Sequence, residues 1–91
     1  MNVKRIKKYV EVTAAFDANG SLRPLFIKWD DGREFHIDKI KDIRRTNSVA
    51  VSGKGIRYTV LIWGKVCYLF YEENYKWFVE EKVTQNTNKT K

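Results

Sequence analysis

The side chains that most often carry out chemistry in proteins are scarce in this chain. It has one histidine, His36, and one cysteine, Cys67, whereas a structural zinc site needs several nitrogen or sulfur ligands that converge on one point. The two neighbours of His36 take the opposite, apolar face of a strand, so we expect the imidazole to face solvent or a hydrogen-bond partner. The sequence therefore predicts no metal site and no bound cofactor.

Residues for nucleophilic or acid–base catalysis are equally sparse. A catalytic serine needs a base and an orienting group within reach, but the serines lie in turn-like contexts and would all depend on His36. The stretch from Ser52 to Gly55 lacks the spacing and the following helix of a phosphate-binding loop. The carboxylates near residues 30–34 and at Asp38 and Asp42 lack calcium-loop spacing. We therefore predict that the protein is not an enzyme and has no catalytic residues.

Positive charge is the one chemical feature that rises above background. The formal net charge is +7, and between residues 39 and 57 the basic side chains far outnumber the single acid, Asp42. One interpretation is a basic stripe that contacts nucleic-acid phosphates, with Tyr58 or Trp63 as a stacking surface. The other is a solvated face that favours solubility. The candidate anion-contacting residues are Lys41, Arg44, Arg45, Lys54 and Arg57.

Aromatic residues crowd the last third of the chain. The stretches 68–71 and 75–79 are apolar on both faces of a strand, which a thin barrel cannot wholly bury. Either the N-terminal residues cover this surface, or it meets a protein partner or a second copy of the chain. Tyr71 and Tyr75 are the candidate partner face.

Turn signals divide the chain into short, regular segments. Clusters such as Asp17–Ser21 and Asp30–Gly32 supply glycine for positive φ or an Asx side chain that bonds its own backbone. The segments between them are rich in β-branched and aromatic residues, which favour strands. The predicted strands span residues 9–16, 22–29, 33–37 continuing irregularly to 45, 56–63, 65–71 and 75–83.

Two of these segments carry finer expectations. The hairpin around Asp31-Gly32 should place Leu25, Ile27 and Trp29 on one face. Residues 37–45 are ambiguous because their isoleucines recur at every third position. We favour a bent or bulged strand there over a single helical turn, since the segment is too short for a stable isolated helix.

The fold class that follows is all-β. We predict a small antiparallel barrel or half-closed barrel of about six strands with little or no helix, because closure removes exposed sheet edges. A single domain should span residues 1–83, with a basic N-terminal arm at residues 1–8. Residues 84–91 contain no apolar side chain and should form a disordered polar tail.

Cysteine usage and hydropathy indicate a compartment. A small secreted domain usually contains paired cysteines, whereas Cys67 is alone and lies in an apolar run typical of a buried thiol. No segment has the length of a membrane span, and no secretory leader follows the basic start. These features predict a cytoplasmic protein that does not associate with membranes.

The order of motifs resembles a group of known sequences. The motifs are Arg23–Trp29 with Gly32–Ile37, then Ile43–Arg45, Arg57–Val60, Tyr68–Tyr71 and Trp77–Glu80. Together they resemble short, uncharacterised bacterial β-domain proteins of the Firmicute type, over about residues 9–82. The resemblance implies a small β domain and no particular catalytic or binding residue.

The function expected from the sequence is binding. We predict a non-enzymatic β-barrel binding module, with a protein-interaction or accessory role or self-association first. The alternative is a nucleic-acid-binding module that uses the central basic segment.

Overall fold

The computed structural model describes the backbone of residues 2–49 and 53–85 and the side chains of residues 6–45 and 55–81. The described chain is all-β, as predicted. Its strands are β1 (Asn2–Phe16), β2 (Leu22–Lys28), β3 (Glu34–His36), β4 (Lys39–Val49), β5 (Gly53–Ile62), β6 (Lys65–Glu72) and β7 (Trp77–Gln85).

These strands form one antiparallel sheet that curls into a half-barrel. Its order is β3-β2-β1-β7-β6-β5-β4, so β3 and β4 lie at opposite edges. Only Ile37 and Asp38 connect those two edges, and so short a connection reaches about 10 Å at most. Ile37 donates its backbone N–H to Leu25 in β2, and Asp38 donates its own to Leu61 in β5. The two edges of the sheet therefore meet at this corner.

Strand β1 joins the two parts of the curled sheet. Its residues from Asn2 to Val10 pair with β7, and those from Glu11 to Phe16 pair with β2. β1 thus begins well before its predicted start at Tyr9, because the residues expected to form an arm pair in register with β7. Of the predicted tail, residues 84 and 85 belong to β7 and residues 86–91 lie outside the described part.

The inner face of the half-barrel holds the main core. Ile27, Tyr58, Val60, Leu69 and Trp77 are buried together. Tyr58 of β5 and Leu69 of β6 are paired and both point inward. Because side chains alternate between the two faces of a strand, the residues next to them point outward. The phenol of Tyr58 donates a hydrogen bond to the backbone oxygen of Leu22, 2.6 Å away, which ties β5 to the start of β2.

A second, smaller apolar cluster lies on the outer face. Phe70 and Phe78 stack with ring centroids 4.9 Å apart, and Tyr9 meets Phe78 edge to face. Lys7 lies over the Phe78 ring at 4.9 Å, and both Lys7 and Tyr9 donate hydrogen bonds to the carboxylate of Glu72. The N-terminal part of β1 therefore covers part of the aromatic surface of β6 and β7, the first of the two alternatives for that surface.

Strand β4 resolves most of the ambiguous segment. Residues 39–45 are extended, and the register with β5 shifts between Ile40 and Asp42, so Lys41 forms a bulge. The bulged-strand alternative is confirmed for residues 39–45, but the predicted continuation from residues 33–37 is wrong, because residues 37 and 38 form a corner between two separate strands.

One facial assignment was wrong. A second bulge leaves Leu25 without a partner between the pairs Ala14–Pro24 and Thr13–Phe26. Ile27 is buried as expected, but Leu25 turns outward and is partly exposed while Pro24 is buried. Pro24 lies at this bulge and outside residues 26–28, the part of β2 that pairs with β3, and bulges and edges are the places in a sheet where proline is tolerated.

No helix among the described residues is long and apolar enough to cross a bilayer.

Candidate functional site

The half-barrel has an opening where two neighbouring strands separate. β6 and β7 pair only at Phe70–Phe78 and Tyr71–Trp77. From there the two strands diverge, β6 remaining with β5 and β7 with β1. We call the space between residues 65–69 of β6 and the part of β7 beyond Phe78 the seam.

An apolar cleft of about 660 Å³ occupies the seam and reaches the barrel interior. Its floor is formed by core residues of β2, β5 and β6, and its walls by side chains of both diverging strands and of two hairpin loops. A volume of this size accommodates one or two large side chains of a ligand. The aromatic and charged side chains of the lining are Trp29, Arg33, Phe35, Trp63, Lys65, Tyr68 and Glu80, and Val66 lies beside them.

The seam edge of β6 carries backbone groups with no ladder partner in β7. Glu72 donates its N–H across the hairpin to Lys76, so the amides of Glu72 and every second residue before it face β7. Phe70 is the last of these to have a partner there. The N–H and C=O groups of Tyr68 and Val66 therefore point into the seam, available to another strand.

Trp63 stands at the mouth of the cleft in an unusual conformation. With Gly64 it forms the two-residue turn between β5 and β6, and both have positive φ, 52° and 75°. Asparagine, aspartate and glycine are the usual residues at the first of these positions. Trp63 is 75% exposed, and its backbone N–H donates to the carboxylate of Asp38 at 3.0 Å. The corner residue Asp38 thus holds the turn that presents the indole.

Aromatic rings continue from Trp63 along one side of the cleft. Phe35 meets Trp63 at 5.5 Å between centroids and Trp29 at 6.1 Å, both edge to face. The ammonium of Lys8 lies 5.0 Å from the Trp29 ring. Edge-to-face packing is a favourable arrangement of aromatic rings, so these three residues form an aromatic wall of the cleft.

The charged groups at the cleft are unevenly placed. Lys65, the first residue of β6, is exposed and forms no ion pair with another described residue. Arg33 packs its guanidinium over Phe35 at 5.3 Å and pairs with Asp31 at 2.7 Å. Glu80 lies on β7, two positions beyond the last pair with β6. The end of the cleft near Trp63 is therefore cationic.

The predicted anion-contacting residues whose side chains are described do not all lie on one surface. Arg44 and Arg57 lie opposite each other on β4 and β5, but Arg44 pairs with Asp42 at 2.7 Å. The guanidinium of Arg57 lies over Tyr68 at 5.2 Å, and its Nε is buried without a hydrogen-bond partner. Arg45 follows Arg44 and so points to the other face.

Two residues of that set remain, Lys41 and Lys54. Lys41 is exposed at the bulge of β4. Lys54 lies in β5, and its side chain is outside the described part of the chain.

The two tyrosines of the predicted partner face lie in different environments. Tyr71 packs against the core and contacts Trp77 at 4.6 Å between ring centroids. Tyr75 is 82% exposed in the β6–β7 hairpin loop, with φ of 68°. Only Tyr75 offers its ring to a partner.

The other chemically active residues stay apart. The ring of His36 is exposed and tilts against Phe26 at 5.1 Å, while Cys67 is a free, half-buried thiol in the cleft lining. Among the described residues no three metal-ligating side chains come together.

Comparison of the chain with protein-family models, with curated proteins and with solved structures finds no match. The resemblance to Firmicute-type β-domain proteins therefore stays a prediction.

No pattern in the sequence marks the seam itself, because the length over which β6 and β7 stay paired depends on the curvature of the whole sheet. One local signal was present, because a tryptophan before glycine in a two-residue hairpin turn is unfavourable for the turn itself.

Proposed function

We propose that this protein is a binding module that takes up an extended segment of a protein partner as an added strand at the seam. The observation that carries the proposal is the early end of β6–β7 pairing beside an apolar cleft. The added strand would bond to the backbone of Val66 and Tyr68 and place alternate side chains in the cleft.

A comparison of the free sheet edges supports this location. The outer edge of β4 carries Lys41, Arg44 and Arg45 and contains a bulge, features that block the addition of another strand. The seam edge of β6 has no register shift with β5, and its middle carries apolar Val66 and Tyr68. Of these two edges, the seam is the one suited to pairing.

The side chains of the seam support the same conclusion. Val66 and Tyr68 are about half exposed, and the strained Trp63 adds a third apolar surface beside them. Residues held in unfavourable backbone conformations cluster at functional sites. A partner that covers these side chains would gain about 25 cal/mol for each Å² of apolar surface removed from water.

A selection experiment tests the proposal. Random peptides displayed on phage are selected against the immobilised protein, and enriched peptides are synthesised and titrated by tryptophan fluorescence, to which Trp29 and Trp63 in the cleft contribute. We expect enriched sequences with alternating apolar residues that bind as strands. Failure to enrich any such sequence would contradict the proposal.

Two variants at one position distinguish strand addition from simple apolar contact. Val66→Pro removes the N–H that faces the seam and leaves the β5–β6 ladder intact, whereas Val66→Thr keeps the N–H and the β-branched shape. We expect Val66→Pro to abolish binding and Val66→Thr to retain most of it, with both variants folded by circular dichroism. Equal binding by the two variants would show that the backbone of β6 takes no part.

A further inference from the structure

We infer that the segment bound at the seam carries acidic side chains beside its apolar residues, and that Lys65 selects for them. This inference rests on the proposed function and adds the chemistry of the partner. The ligand is thus an extended apolar segment with a carboxylate at the end that lies near Trp63.

Lys65 is the main cation available to such a carboxylate. It begins β6 at the mouth of the cleft, is exposed, and is engaged in no ion pair with another described residue. A strand added along β6 would bring its own side chains to within cross-strand distance of Lys65, about 5 Å between Cβ atoms. An acidic side chain there would gain an ion pair, and a basic one would be repelled.

Arg33 adds to the same end of the cleft. Its Nε is bonded to Asp31, but a guanidinium has further N–H donors in a planar fork. The guanidinium packs over Phe35, and the Phe35 ring contacts Trp63. Asp31 offsets part of the charge of Arg33, so Lys65 contributes more of the selectivity.

The two cationic side chains of the lining lie at the same end of the cleft. Lys65 begins β6 beside Trp63, and Arg33 packs over Phe35, which contacts Trp63. An acidic residue is therefore favoured at the end of the added segment that lies there.

Defined peptides test this inference. The test uses four blocked peptides that share an apolar core, in which valine and threonine alternate around a phenylalanine. Two of them carry a pair of glutamates, either before or after this core. The other two carry a pair of lysines at the same places. Of the two glutamate peptides, we expect the one that binds more tightly to have about fivefold higher affinity than either lysine peptide. Lys65→Glu should reverse that order.

Lys41→Glu is the matched control, because it changes the net charge equally on an exposed residue of β4 outside the cleft. We expect it to leave the order of the peptides unchanged. Equal affinities of all the peptides for the wild type would overturn the charge selectivity and leave strand addition standing. No binding by any peptide would overturn the proposed function itself. If Lys65→Glu and Lys41→Glu changed the order of the peptides equally, the preference for glutamate would be due to the net charge of the protein and not to Lys65.

Discussion

Two aromatic residues occupy backbone conformations that glycine normally takes. Tyr75 has φ of 68° in the β6–β7 hairpin loop, whose hydrogen bonds match those of the loops around Gly20 and Gly32. In those two loops a glycine stands at the equivalent position. A left-handed conformation costs an L-residue about 1–2 kcal/mol, so Trp63 and Tyr75 are retained at a cost to stability.

This cost leads to a paired prediction. Trp63→Gly and Tyr75→Gly each relieve one left-handed residue, so each should leave the thermal stability unchanged or raise the free energy of unfolding by about 1 kcal/mol. Trp63→Gly should also abolish binding of a peptide selected on the wild type, whereas Tyr75→Gly should bind normally. Thermal melts and peptide titrations measure both effects, and loss of binding in Tyr75→Gly instead would move the site to the other end of β6.

Tyr58 provides a prediction about pH. Burial raises the pKa of its phenol above the ordinary value of 10.0, so the folded protein holds this proton more tightly than the unfolded chain does. The contribution to stability is complete below pH 10 and is lost as the pH rises through the higher pKa of the folded state. The hydrogen bond to Glu72 raises the pKa of Lys7, which acts in the same direction.

Denaturant unfolding between about pH 8 and pH 11 measures this loss. The free energy of unfolding should be level at first and fall above about pH 10. Tyr58→Phe should be less stable at neutral pH by about 1–3 kcal/mol, since the partly buried backbone oxygen of Leu22 loses its donor, and its free energy of unfolding should fall less steeply at alkaline pH. An equally steep fall in the variant would contradict the assigned role of Tyr58.

At the scale of elements, β4 explains much of the basic segment without nucleic acid. Its cations lie on an outer edge, where lysine and arginine hinder pairing with other chains. Arg44 is partly neutralised by Asp42, and Arg45 points to the other face. The alternative of a nucleic-acid site needs cations that converge, and the described residues of this segment are divided between faces.

Oligonucleotide binding at low salt tests that reasoning. Any protein of net charge +7 attracts polyanions to some degree, and the attraction weakens as salt rises. We compare two double variants, Arg44→Glu/Arg45→Glu in β4 and Lys89→Glu/Lys91→Glu outside the described part of the chain. We expect the first to weaken oligonucleotide binding no more than the second. Selective loss in the Arg44 and Arg45 variant, measured by fluorescence anisotropy, would restore the nucleic-acid alternative.

The positions of the strands were predicted from the sequence better than the pairing between them. Turn residues such as Gly32 and the β-branched and aromatic residues of β5 and β6 are local signals, so most of the strands and the all-β class followed from them. The bulges at Lys41 and Leu25 depend on the bend of the sheet around Pro24 and the corner at Asp38. The pairing of β1 with β7 joins distant parts of the chain, and no local pattern encodes it.

At the scale of the molecule, curvature creates the candidate site. The short corner at Ile37 and Asp38 draws the edges of the sheet together, while β1 stays with β7 and β5 stays with β6. The sheet does not stay paired at every strand boundary, and the pairing ends early between β6 and β7. The cleft is therefore a property of the curled sheet as a whole. Of the candidates chosen from the sequence by charge and aromatic content, Trp63 lies at the mouth of the cleft, whereas Lys41, Arg44, Tyr71 and Tyr75 are not among its lining residues.

Amide hydrogen exchange in the native protein, followed residue by residue by NMR, tests the central claim most directly. In the free protein we predict fast exchange at Val66 and Tyr68, whose amides face the seam, and slow exchange at Cys67 and Leu69, whose amides face β5. Addition of a selected peptide should slow exchange at Val66 and Tyr68. Equal protection of all four amides in the free protein would contradict the account, because β6 would then have a partner on both sides and no seam would be open.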